Sequence, residues 1–217
     1  MKPRLIIQKL REEASKFSEI ESSYYESSLY GVTDGKAIGT YLEHKFTDYL
    51  TKLYDYEKGN SASGIDLPRL QVDIKTTSIK QPQSSCPFKS ASQKVFGLGY
   101  HLLIFVYEKT DNHTNQTGCL NIQHTVFVEK KRTADFQTTK GMLDILERDG
   151  NKDDVIGFIS ERNLPVDEIG ADQLADRILK SPPIQGYLTI SNALQWRLQY
   201  RRVIQEAGTV SGVFKVR

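Results

Sequence analysis

The residues best suited to joint chemistry lie in one short stretch, Ser63-Gly-Ile-Asp66-Leu-Pro-Arg-Leu-Gln-Val-Asp73-Ile-Lys75-Thr-Thr-Ser78. From Leu70 the side chains alternate. Leu70, Val72, Ile74 and Thr76 fall on one face and Gln71, Asp73, Lys75 and Thr77 on the other, the period of a strand. If residues 67–72 supply the loop and first rungs of a hairpin, Asp66 falls opposite Asp73, at the ~4.5–5.5 Å Cβ separation of cross-strand neighbours. Two bare carboxylates at that distance repel, and a divalent cation resolves the conflict. Oxygen-only ligation by one or two carboxylates plus a substrate phosphate is the pattern for Mg²⁺. Lys75 would then reach the same phosphate, where it could orient or deprotonate an attacking water and offset developing charge. The competing description is a solvent-facing polar strand with an incidental ion pair.

Acid-x-lysine spacing does not by itself choose the site, because the chain has four such triplets: Asp34-Gly-Lys36, Glu43-His-Lys45, Asp73-Ile-Lys75 and Glu129-Lys-Lys131. Asp34 precedes a predicted helix and Glu43 lies within it, so neither triplet has strand geometry. Glu129 sits on a predicted strand end without a second acid close before it. Only Asp73 and Lys75 combine alternation with a nearby acid.

Several elements must position these groups. Leu5, Ile6, Leu10, Ala14 and Phe17 predict an amphipathic helix over 3–17, and residues 18–30 read as helix or loop. Thr33-Asp34-Gly35 marks a second helix start, followed by the apolar stripe Ile38, Leu42, Phe46, Tyr49, Leu50 and Leu53. Glu43 sits at the edge of that stripe. Residues 78–94 contain Pro82 and Pro87 with Lys80, Lys89 and Lys94 and no acid. They read as a long basic loop, with a short helix from Ser90, suited to an anionic ligand. The apolar run His101–Tyr107 predicts a central strand covered on both faces, and residues 122–131 a second strand in hairpin with it. Helices are expected over about 137–148 and 170–180, and a last one from near Ser191 to Ala207, stopped by Gly208.

Gly64-Ile-Asp66 followed by Val72-Asp73-Ile-Lys75, with Glu43 on the preceding helix, resembles the PD-(D/E)xK nuclease superfamily, and within it the type II restriction endonucleases. The resemblance covers about residues 36–108. It implies an α/β (α+β) core with a central mixed sheet flanked by helices, and Mg²⁺-dependent hydrolysis of DNA phosphodiesters. It further implies metal ligation by Asp66, Asp73 and the backbone carbonyl of Ile74, a catalytic Lys75 and an accessory acid at Glu43. Ile65 stands where the family has Pro, and the short gap between the two acids requires a tight hairpin around Pro68.

Residues 194–217 hold Arg197, Arg201, Arg202, Lys215 and Arg217 against the single acid Glu206. On the expected helix, Arg197 and Arg201 are i,i+4 neighbours beside Gln195, Gln199 and Arg202. Arg suits guanine edges and phosphates, and Gln suits adenine. Together with Lys80, Lys89 and Lys94 these residues form the expected DNA contacts, unless the helix merely packs through Trp196, Leu198 and Val203.

The bulk properties agree with such a protein without requiring it. A length of 217 residues, 38% hydrophobic and 26% charged, suits one soluble domain. A catalytic core over about 36–148 and a helical DNA-recognition segment over about 155–217 are expected. Formal charge is only +2, so the distribution of charge matters more than its sum. No apolar run approaches the ~18–20 residues of a membrane span, and Met1-Lys-Pro-Arg is not followed by a signal-peptide core. A cytoplasmic location is expected. Cys86 and Cys119 lack metal or disulfide spacing and read as free thiols in polar loops. Three function classes remain: a sequence-specific endonuclease, most simply a homodimer on a palindromic site; a repair or junction-resolving nuclease with the same core; and a non-catalytic DNA-binding protein.

Overall fold

The computed structural model describes residues 2–57, 59, 64–86, 89–191 and 196–217. In chain order it contains α1 (Ile7–Ser22), β1 (Tyr25–Glu26), α2 (Gly35–Leu53), β2 (Val72–Ser78), β3 (Gln83–Cys86), α3 (Ser92–Phe96), β4 (His101–Asn112) and β5 (Thr117–Val128). There follow α4 (Phe136–Glu147), α5 (Lys152–Glu161), α6 (Glu168–Lys180), β6 (Thr189–Ile190), β7 (Trp196–Gln199), α7 (Arg201–Gln205) and β8 (Val213–Lys215).

The apolar run at His101 becomes the centre of a five-stranded sheet. β4 pairs with β5 as an antiparallel hairpin and with β2 in parallel, while β1 and β8 both pair with β5. The sheet is therefore mixed, and β2 lies at its edge. Alternation along β4 divides the core. Leu103, Phe105 and Tyr107 pack with Phe17 of α1 and Leu42 and Phe46 of α2, whereas Leu102, Ile104 and Val106 face a layer containing Trp196, Leu198 and Tyr200. Burial on both faces accounts for the absence of polar alternation in this run. Asp34 caps α2 by accepting a hydrogen bond from Lys36 N at 3.0 Å, and the predicted stripe turns Ile38, Leu42, Phe46 and Leu50 inward.

A second, three-stranded sheet in the order β3-β7-β6 packs against the first. This sheet corrects two expectations. The long helix from near Ser191 is replaced, in its described part, by strand β7 and the five-residue helix α7. Trp196, Leu198 and Tyr200 are all buried, a period of two, and each large side chain gains ~1.5–3 kcal/mol from burial. Helix propensity differences of at most ~0.7 kcal/mol per residue cannot compete. The strand's partner comes from the segment read as a basic loop, where Gln83–Cys86 forms β3; the short helix expected from Ser90 is α3, Ser92–Phe96. Residues 155–217 contain most of α5 and all of α6, followed by short strands and the short helix α7. Cys86 and Cys119 form no disulfide among the described residues, and both are buried in strands rather than placed in polar loops. The turn between β4 and β5 is also shorter than expected, because the strands continue through to residues 112 and 117.

Helices α4, α5 and α6 bury a third apolar cluster around Met142, Val155, Ile159 and Ile178. Among the described residues, no helix is long and apolar enough to cross a membrane.

Candidate active site

Pro68 does not obstruct the hairpin; it starts a 3-10 turn, Pro68–Leu70, for which its fixed φ is suited. Gln71 follows in the left-handed region at φ 52°, which reverses the chain. Leu67 and Val72 then exchange two backbone hydrogen bonds, of 2.9 and 3.2 Å. The closure brings Asp66 beside β2, where its Oδ2 accepts a hydrogen bond from Ile74 N at 2.7 Å. An extended residue directs its N–H and C=O to the same side, so the Ile74 carbonyl points to this free edge as well. The Ile74 side chain, 1% exposed, anchors the strand in the core on the α1–α2 side.

Asp73 and Lys75 share the other face of β2, with Lys75 Nζ 2.8 Å from Asp73 Oδ2. Burial pushes the Asp73 carboxyl up to about 7, aided by the adjoining Asp66 carboxyl and opposed by Lys75. Glu43 reaches the cluster from α2. Burial and then Asp66 push its carboxyl up to about 7, with a smaller push from Asp73 and relief from Lys75. Burial depresses the Lys75 ammonium, but Asp73, Asp66 and Glu43 outweigh that effect and leave its pKa above the usual lysine value. Three carboxyls thus face one ammonium, an excess of 3 − 1 = 2 negative charges if all ionise.

Among the described residues, no three His, Cys, Asp or Glu side chains form a ready-made metal cage. The donors nevertheless fit a hard divalent cation. Two carboxylates and a strand-edge carbonyl are all oxygen, and the crowded negative charge is what a dication would offset.

The other acid-x-lysine triplets make contacts of their own, away from Asp66 and Asp73. Asp34 caps α2. Lys45 pairs with Glu21 at 2.8 Å rather than with Glu43, and Glu129 pairs with Lys131 at 3.0 Å.

A cleft of about 570 Å³ opens beside the cluster, lined by Glu43, Lys75, Thr77, Gln83, Ser85 and Arg197 among others. Arg197 and Gln199 are exposed on β7, and Arg201 is exposed on α7. The i,i+4 relation of Arg197 to Arg201 is lost with the long helix; Arg197 and Gln199 instead share a strand face. Arg202 stacks its guanidinium 3.7 Å from the Phe136 ring centroid. Lys80 and Lys89 are exposed. Lys94 is only 4% exposed, with Nζ 5.8 Å from the Trp196 ring centroid. Gln195 lies outside the described residues. Gln83 and Ser85 were not among the expected contacts. No sequence signal marks them, because Gln83, Ser84 and Ser85 are three polar residues in a row without strand alternation.

A family model described as "Type II restriction enzyme NspV" matches residues 4–215. A relative from Nostoc sp. (strain ATCC 29411 / PCC 7524), also described as type II restriction enzyme NspV, is 64% identical over 212 residues, covering 98% of this chain and 96% of the relative. No solved structure matches. The hairpin acids, the lysine and the mixed sheet therefore stand in a chain that belongs to the NspV family of type II restriction enzymes, which are site-specific deoxyribonucleases.

Proposed function

We propose that the chain hydrolyses phosphodiester bonds of double-stranded DNA at a specific, palindromic site, with Mg²⁺ as cofactor, and that it acts as a homodimer in the cytoplasm. The observation that carries the proposal is the closed hairpin, in which the Asp66 carboxylate holds Ile74 N at 2.7 Å and adjoins the Asp73–Lys75 pair. Asp66, Asp73 and the Ile74 carbonyl would hold the cation, which supplies Lewis-acid polarisation of the phosphate when bound.

The chain's own groups have distinct tasks. Lys75 stands as an ammonium, since its neighbours raise its pKa. In that form it donates hydrogen bonds to a phosphate oxygen or to the attacking water and offsets charge in the transition state. Glu43, with its carboxyl pushed up to about 7, is suited to exchanging a proton near neutral pH. The water oxygen bonds to phosphorus as the bond to the leaving oxygen breaks; the proton the water loses passes to the Glu43 carboxylate or to solvent, and the leaving oxygen takes a proton from solvent. Arg197, Gln199, Arg201, Lys80 and Lys89 supply DNA contacts, whereas buried Lys94 and ring-stacked Arg202 act through packing. The whole chain works as one nuclease domain, with its core over about residues 36–148. One active site per chain makes a two-fold dimer the simplest means of cutting both strands.

Digestion of plasmid and phage DNA tests this function. Discrete fragments with Mg²⁺ and none with EDTA are expected; a smear, or cleavage unaffected by EDTA, contradicts it.

A further inference from the structure

The second sheet has a polar face that bonds to no other side chain among the described residues. β3 and β7 run antiparallel, with Gln83 opposite Gln199 and Ser85 opposite Arg197. Alternation sends Cys86, Trp196 and Leu198 into the core and leaves Gln83, Ser85, Arg197 and Gln199 on the outer face. None of these four side chains makes a hydrogen bond or ion pair with any described residue. Arg197, Gln83 and Ser85 line the same cleft as Lys75 and Glu43, so DNA engaged at the catalytic strand passes along this face.

Given the nuclease function proposed above, we infer that the β3–β7 ribbon enters the major groove and reads base edges, with Arg197 as a specificity-determining residue and Gln199 and Gln83 beside it. The composition favours bases over phosphates. A phosphate-tracking surface is dense in Lys and Arg, whereas this face offers one guanidinium among three neutral hydrogen-bonding side chains. Arg presents a bidentate fork to guanine O6 and N7, Gln does the same for adenine N6 and N7, and Ser serves either. The major groove, about 12 Å wide, admits a two-stranded ribbon. Four residues at about 3.4 Å each extend over the length of a few base pairs.

The ribbon is also fixed to the catalytic strand. Thr77, two residues beyond Lys75, accepts a hydrogen bond from Gln83 N at 2.9 Å, and its hydroxyl lies 3.1 Å from the Gln83 carbonyl. A base contact made by β3 or β7 is thus held in register with the scissile phosphate.

The test begins by sequencing fragment ends produced by the wild-type protein to define its site. Duplexes of that site, of every single-base-pair variant and of an unrelated sequence are then bound to Lys75→Ala protein with and without Arg197→Ala or Gln199→Ala, across a range of salt. Arg197→Ala is expected to weaken binding to the defined site about 10- to 100-fold and to abolish discrimination at one base-pair position. Its affinity for unrelated DNA and its salt slope should change much less than its affinity for the defined site, and Gln199→Ala should relax a different position. Uniform weakening across all duplexes with the slope reduced by about one would identify a phosphate contact and overturn the inference, as would unchanged discrimination. Failure of the wild-type protein to give discrete ends would instead refute the nuclease function itself.

Discussion

Asp66 has two duties that substitution can separate. Its carboxylate closes the hairpin by accepting from Ile74 N at 2.7 Å and also supplies charge beside Asp73. Asp66→Asn keeps an acceptor oxygen, whereas Asp66→Ala removes it, leaving an amide donor unsatisfied at a typical cost of about 1–3 kcal/mol. Thermal unfolding is expected to show Asp66→Asn close to wild type and Asp66→Ala several degrees lower, with cleavage lost in both. Equal stability of the two variants contradicts the hairpin role. Glu43 gives a second prediction. Its pKa in the folded chain, about 7, is above the ordinary 4.5, so between those values the folded state keeps a proton that the unfolded state has released. Its contribution to stability is therefore fully present below about pH 4.5 and is lost as pH rises through about 7. In EDTA, Glu43→Gln should gain thermal midpoint relative to wild type as pH rises across that window. A difference that stays constant with pH would show that Glu43 is not held in its acidic form.

The elements matter because two sheets meet at β2, joined through Thr77. The Thr77 side chain is buried and serves the backbone of residues 81–83 on both sides. Thr77→Val keeps the shape but removes those bonds, and is expected to cost about 1–3 kcal/mol and to slow cleavage. Thr77→Ser should restore both in unfolding and single-turnover assays. Full activity in Thr77→Val would show that β3 needs no attachment to β2. This region also marks the limit of what sequence reveals. β2, β4 and α2 were legible because long apolar patterns and the Asp34 cap act locally. Strands β3 and β7 are four residues each and, among the described residues, pair only with each other and the short β6, so neither has a local signal strong enough to stand alone. The Trp196 segment consequently read as a helix, and Gln83 and Ser85 as loop.

At the scale of the molecule, the proposed catalytic acids and lysine could be grouped from sequence because one hairpin holds Asp66, Asp73 and Lys75, and Glu43 followed from the family resemblance. The cleft was not legible, since it draws on α2, β2, β3 and β7 at once. Cutting two strands with one such cleft per chain predicts a dimer of about twice the 24.7 kDa chain mass in sedimentation on a short cognate duplex. A single protomer on DNA that still breaks both strands in one binding event contradicts the two-fold arrangement. The central claim is that Lys75 and its neighbouring acids form the catalytic centre, and single-turnover cleavage by Lys75→Ala tests it most directly. At saturating Mg²⁺ and with all DNA bound, the account predicts a cleavage rate lower by at least about a hundredfold, the scale of one lost transition-state contact. Cleavage at the wild-type rate would place the chemistry elsewhere.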